Sequence, residues 1–175
     1  MRWTWTLVLP LLAGCGMLAV ATYPRTIIPA DIAAPANQRL ELILVANGVQ
    51  IYRCDAKKDA PGRFEWAFQA PEARLRDVGG KSMGRHYAGP TWEADDGSKL
   101  TGTVQASIEA PDKAAIPWLR LAARSTGSPG ILANVTSVLR VSTSGGRPPA
   151  GCVEPDQGRI LRVDFRADYY FYVNR

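Results

Sequence analysis

At 175 residues, with 46% hydrophobic and 21% charged, the chain has material for one domain with a substantial core plus a short processed or flexible end, and not for two domains. Lys and Arg number 21 against 16 Asp and Glu, a net +5, scattered along the chain rather than gathered into runs or one helical stripe. Such a balance suits weak attraction to anionic surfaces such as lipid headgroups or acidic polysaccharide; without a recognition motif it leaves no nucleic-acid footprint.

The first 21 residues, MRWTWTLVLPLLAGCGMLAVA, carry Arg2, an apolar core from about Leu7 to Val20, and then small residues. That is the grammar of a secretory signal, and the core is too short and too early for a stop-transfer span. Within it LAGC, residues 12–15, looks like a bacterial lipobox, with Cys15 as the residue to be acylated. Several acyl chains on one terminus would give stable membrane attachment where a single chain is marginal. A second cut is available after Ala21, where small residues suit an ordinary signal peptidase. The expectation is therefore an exported protein, either a membrane-anchored lipoprotein of the bacterial envelope or, if cut after Ala21, a secreted or periplasmic one.

Both routes remove Cys15 from the thiol count, leaving Cys54 and Cys152 as an even pair in a disulfide-permissive setting. A bridge between them would close a loop of about one hundred residues, for which chain entropy gives about 4 to 5 kcal/mol. The alternative, a redox-active or metal-binding pair, lacks a C-x-x-C spacing and nearby ligands. No cofactor and no metal site is expected.

Residues 22–38 are rich in Pro and Ala without period, and read as a tether or a wrapping arm leading to a β domain over residues 39–175. From Leu40 onward, runs of β-branched and aromatic residues alternate with Gly, Pro, Asn and Asp, the pattern of a single all-β domain: an antiparallel β-sandwich or barrel-like fold of short strands and long loops. In RLELILVANGVQIYRC, Asn47-Gly48 predicts a type I′ hairpin opposing Val45 to Gln50, Leu44 to Ile51 and Ile43 to Tyr52. Phe64, Trp66 and Phe68 share one face at period two and read as core, with a sugar-stacking platform as the alternative.

In HYAGPTWEADDGS, residues 86–98, register decides the role of the acids. A three-residue loop Asp95-Asp96-Gly97 opposes Trp92 to Leu100 and Glu93 to Lys99, apolar inside and ionic outside, with Gly97 where a left-handed residue is needed. Asp95 and Asp96 then read as turn formers rather than catalytic carboxylates. His86, the only histidine, follows VGGKSMGR and is placed on a loop or strand entrance. Ser82, Asp77, Asp95 and Asp96 are candidate catalytic partners by proximity in sequence alone, and no G-x-S-x-G elbow is present.

Downstream, KLTGTVQASI puts Leu100, Val104, Ala106 and Ile108 on one face. In RILRVDFRADYYFYV, Leu161, Val163, Phe165 and Ala167 point inward while Arg162, Asp164, Arg166 and Asp168 point to solvent. The tyrosines at 169–172 are either covered by a neighbouring element or exposed as an aromatic patch. The candidate ligand-binding residues are accordingly His86, Tyr87, Tyr170 and Tyr172.

GVQIYRC at 48–54, HYAGPTWEADDGS at 86–98, APDKAAIPWL at 110–119 and ADYYFY at 167–172 together resemble the exported family called domain of unknown function 3455, from about residue 31 onward. The resemblance implies a mainly β domain in secreted or signal-bearing proteins of bacteria and fungi, and brings no reaction, ligand or catalytic set. The functional expectation is an envelope-associated binding or structural module for an unknown small molecule or polysaccharide, attached to the membrane if Cys15 is acylated; the alternative is an extracytoplasmic hydrolase using His86.

Overall fold

The computed structural model describes Met1 and residues 23–175, so Cys15, the lipobox and the cleavage positions lie outside the described residues. Eight strands follow one another as β1 (Gln38–Ala56), β2 (Phe64–Arg76), β3 (Ser82–Tyr87), β4 (Thr91–Ala94), β5 (Lys99–Ile108), β6 (Trp118–Ser125), β7 (Val135–Gly145) and β8 (Ile160–Asn174). Each pairs antiparallel with its sequence neighbours, and β1 pairs with β8, closing the sheet into a barrel. Closure is tightest where β3 and β4 pair with Ala73–Arg76 of β2 and Lys99–Thr101 of β5; beyond those residues β2 and β5 are laddered on one side only. Among the described residues no helix is long and apolar enough to cross a membrane.

The Asn47-Gly48 hairpin does not form. β1 runs straight through the dipeptide, with Asn47 opposite Arg74 of β2 on one side and Arg166 of β8 on the other. The glycine serves close approach instead of a turn: a Cβ at Gly48 would lie 2.1 Å from the Glu72 carbonyl oxygen and 2.5 Å from Ala73 Cα. A hairpin would give β1 half its length and leave the long β8 without a partner over one end. The two-sided ladder won over local turn propensity.

The Asp95-Asp96-Gly97 hairpin forms in the expected register, with Trp92 opposite Leu100 and Glu93 opposite Lys99. Gly97 adopts a φ of 86°. Asp96 accepts from Ser98 N at 2.9 Å, Ser98 Oγ at 2.6 Å and Ile131 N at 2.8 Å, and these bonds hold its carboxyl below the usual range. Ser98 Oγ in turn accepts from Leu132 N at 3.1 Å, fixing the fully buried Leu132 in the barrel interior.

Two apolar layers result. The interior packs Leu44, Leu75, Trp92, Leu100, Val138 and Phe171 with their neighbours. Eight strands enclose a space that side chains fill, or that holds one small ligand. The second layer lies outside, where Tyr170, Leu139 and Val141 are covered by Ile28, Ile32 and Ala34 from the segment preceding β1. Tyr23 donates to Asp168 at 2.8 Å, Thr26 N donates to the Tyr170 hydroxyl at 2.9 Å, and Thr26 meets Ser142. Residues 23–37 therefore wrap the barrel.

Bulges correct two further expectations. One between Ile51 and Tyr52 of β1 pairs Tyr52 with Phe68 and skips Gln69, so Phe68 faces the mouth of the barrel and stays 55% exposed instead of joining the core. Phe64 and Trp66 are half-buried. The other, between Val104 and Ala106, splits the expected face of β5: Leu100 is interior, Val104 is 51% exposed at the mouth, and Ala106 and Ile108 join the outer layer. A bulge inserts one residue and inverts the alternation beyond it. On β8 the inward face is as expected at Phe165 and Ala167 and continues through Tyr169, Phe171 and Val173. The outward face is not solvent throughout: Asp168, expected to be exposed, is 2% exposed because Tyr23 of the wrapping segment covers it and donates to it.

Cys54 and Cys152 are joined by a disulfide across a sequence separation of 98, as expected. Cys152 also bridges Phe64 in a short pairing, so the long connection between β7 and β8 is clamped onto the start of β2.

Candidate functional site

One end of the barrel opens into a cavity of about 390 Å³. That is within the about 300 to 1,000 Å³ usual for small-molecule pockets. Inward positions of six strands supply its lining: Gln50 of β1, His86 of β3, Trp92 of β4, Leu121 of β6, Arg140 of β7 and Tyr169 of β8. Phe68 and Val104 stand at its rim.

His86 lies within β3, opposite Trp92, not on a loop. It is 2% exposed, stacked on Trp92 with centroids 4.6 Å apart and tilted against Tyr169 at 5.0 Å. Burial, opposed by its bond to Thr91 and reinforced by the charge of Arg140, lowers its pKa to about 3. The ring is therefore neutral near pH 7. Its Nδ1 lies 2.8 Å from the Thr91 carbonyl oxygen. A carbonyl only accepts, so Nδ1 carries the proton and Nε2 is an acceptor.

The rest of the lining is unusual in its unmet hydrogen bonds. Of six buried side-chain polar atoms without a partner among the described residues, three line this cavity: Gln50 Nε2, Trp92 Nε1 and the Tyr169 hydroxyl. Buried polar groups are normally paired, and each exception calls for a physical account. Burial pushes the Tyr169 hydroxyl up to about 12 although the facing Arg140 guanidinium pulls it down. Arg140 keeps partial exposure through the cavity, and its Nε donates to the Pro117 carbonyl at 3.0 Å.

The sequence-derived candidates do not converge. His86 faces the cavity, whereas Tyr87 lies outside it and donates to Glu93 at 2.6 Å. Tyr170 is buried against the outer layer and Tyr172 is half-buried beside it, beneath residues 23–37. Ser82 bonds Asp95 at 3.4 Å, and Asp77 closes its own turn by accepting from Gly79 N and Lys81 N. No carboxylate meets His86 among the described residues, and no group of three or more potential metal-ligating His, Cys, Asp or Glu is found there.

A larger depression of about 1,020 Å³ lies on the outer side of β1 to β4, near Arg85, Tyr87, Glu93 and Arg162. It is open, and most of its charges satisfy one another, Arg74 being the cation of its lining without an ion pair among the described residues. Glu93 pairs with Arg85 at 3.0 Å and with Lys99 at 3.1 Å, and Arg162 pairs with Glu72 at 2.9 Å. Hydrogen bonds from Tyr87, Arg85 and Lys99 lower the Glu93 pKa to about 2. The smaller cavity, with unpartnered groups and one cation, is the better candidate.

Sequence reasoning missed Gln50, Arg140 and Tyr169. The available signal was a polar residue at an inward position of an apolar strand: Gln50 two residues from Tyr52, and Arg140 two from Val138. The false hairpin concealed the first. On β7 the run ILANVTSVLRVST has no clean alternation to mark an inward face.

The profile of the family described as a protein of unknown function (DUF3455) matches residues 35–173, and the chain belongs to that family. No curated protein and no solved structure matches the chain.

Proposed function

We propose that the chain is an exported, envelope-associated binding module that takes a small ligand through the open end of its barrel. The observation that carries this reading is the cavity lined by three unpartnered buried polar groups. A ligand with complementary groups regains hydrogen bonds that the protein alone leaves unmade, each worth about 0.5 to 1.5 kcal/mol net. The signal-like N-terminus and Cys15 support export and attachment to the envelope membrane. The hydrolase alternative finds little support around His86: its Nδ1 is committed to a backbone carbonyl, and no nucleophile or orienting carboxylate adjoins it among the described residues.

Val104→Trp places an indole at the rim, where Val104 is already exposed, and narrows the mouth without altering the core. Fractionated extract of the producing cell should contain compounds that raise the melting temperature of the native protein and not that of the variant. Equal shifts in both proteins, or none in either, would refute the cavity reading. For the envelope, mass spectrometry of the membrane fraction should find diacylglycerol on an N-terminal Cys15; a mature terminus at Thr22 without acyl mass refutes anchoring.

A further inference from the structure

We propose that the cavity is an anion site in which Arg140 receives the carboxylate of a small amphipathic acid, with the acid's apolar body against Leu119, Leu121, Val104 and Phe68. The inference rests on the reading of the cavity as a ligand site and names the class of ligand.

Arg140 is held in place from both sides, opposite Leu119 of β6 and Tyr169 of β8. Its Nε is used by the Pro117 carbonyl, which orients the guanidinium; its remaining side-chain neighbour is the neutral Tyr169 hydroxyl, and no carboxylate reaches it among the described residues. Among the described residues no Asp or Glu lines the cavity, and no ion pair reaches Arg140. Residues 2–22 contain no Asp or Glu, so the undescribed segment holds no acid to neutralise it. A desolvated guanidinium without a counter-charge is costly, and a planar carboxylate matches its fork.

The neighbouring groups select the same chemistry. Gln50 Nε2, Trp92 Nε1 and the Tyr169 hydroxyl are donors, and all line the cavity beside the cation. A phosphate monoester carries about −1.5 to −2 near pH 7. That exceeds one cation, and the acceptor Nε2 of neutral His86 would face the surplus charge. A carboxylate carries one charge and is balanced. The apolar rim residues Phe68 and Val104, both more than half exposed, give the body of such an acid a surface to cover.

Isothermal titration of the purified full-length protein tests this with two acids, octanoate and phenylacetate, and their neutral isosteres, octanamide and phenylacetamide. At neutral pH at least one acid should bind about tenfold or more tighter than its amide. Arg140→Met should remove that preference, costing the acid more affinity than the amide, and Arg140→Lys should restore part of it. Val104→Trp should weaken acid and amide together, locating both at the mouth. Equal affinity for acid and amide, or an acid preference that survives in Arg140→Met, overturns the anion assignment and leaves the cavity reading standing. Binding of neither acid also overturns it; the extract experiment with Val104→Trp then decides whether the cavity reading falls as well. Because the acid-to-amide comparison is made on the native protein, a variant that fails to fold does not blunt the test.

Discussion

Burial of His86 makes the stability of the protein fall with acid well above the range where carboxylates titrate. In the unfolded chain the ring protonates near its ordinary value of 6.5, whereas in the folded protein it resists protonation down to about 3. Between those values the unfolded state binds more protons, so lowering the pH favours unfolding; the stabilisation is complete above about 6.5 and is lost progressively toward 3. Linkage between these two values gives a loss of about 2 kcal/mol on going from pH 7 to about pH 5, and of about 3 kcal/mol by about pH 4. For a domain of this size the first loss lowers Tm by about 4 to 8 °C. Urea denaturation across this range, compared with His86→Gln, isolates the effect: the variant can still donate to the Thr91 carbonyl but has no proton to bind. It should start less stable, having lost the stack on Trp92, and its stability should change far less between pH 7 and 5. Glu93, held at about 2, contributes stability present above its unfolded value near 4.5 and lost only as the pH falls from there. It does not intrude between pH 7 and 5, and below that it is common to both proteins. Parallel curves for the two proteins over this range, or a His86 ring titrating near 6.5 by NMR in the folded state, would refute the neutral buried imidazole.

Other outcomes follow from the fold. Gly48→Ala drives a Cβ into the Glu72 carbonyl and should cost about 3 kcal/mol or more, because backbone atoms cannot swing aside. The exposed Asn47→Thr should stay within about 1 kcal/mol, whereas a type I′ turn would make Asn47 sensitive too; urea midpoints of the pair decide. Replacing Cys54 and Cys152 together by Ser should lower stability by about 2 to 5 kcal/mol, and an unchanged midpoint would deny the clamp a role in stability. Tyr23→Phe removes a hydrogen-bond donor from Asp168, which is 2% exposed and otherwise meets only Arg166 at 3.3 Å. A loss of about 1 to 3 kcal/mol is expected, with faster proteolysis of residues 23–37; an unchanged cleavage rate would show that this bond does not hold the arm.

The parts of the fold that were legible in the sequence are those in which local and long-range demands agree. At Trp92 to Leu100 the pleat, the ion pair and the left-handed glycine all select one register, and that register forms. On β8 alternation assigned Phe165 and Ala167 to the interior, but stopped short of Tyr169 and Phe171, where apolar and aromatic residues on both faces erase the period. At Asn47-Gly48 the demands disagree. The dipeptide suits a turn, but closing the barrel requires β1 to reach β2 and β8 together along its length, a requirement that arises only once the other seven strands exist. The bulges on β2 and β5 are equally nonlocal: one extra residue in each strand moved Phe68 to the mouth and sent Ala106 and Ile108 to the outer face. Of the site, His86 was legible because a lone histidine is conspicuous, while its partners were hidden among apolar strands on β1, β7 and β8.

That concealment bears on what the cavity is for. A barrel interior that served stability alone would continue its apolar filling to the mouth, since Leu or Met at positions 50 and 140 would bury as much surface without stranding a polar group. Instead Gln50, Arg140 and Tyr169 break the pattern at one end, while the interior elsewhere is filled by residues such as Leu44, Leu75, Leu132 and Val138. Places where a sequence departs from the rule that the rest of its fold obeys are where function is expected to sit, because the departure costs stability that some other interaction must offset. Here the missing interaction has a sign. The unpartnered groups can all donate, and among the described residues the one ionised side chain in the lining is a cation. Free of ligand, the mouth should thus be the less stable end, and hydrogen exchange of β7 amides near Arg140 should slow when an acid is bound, with amides near Leu132 unchanged. Equal protection at both ends, with and without octanoate, would mean that the polar break is no more than tolerated and that the ligand for which it is argued does not bind there.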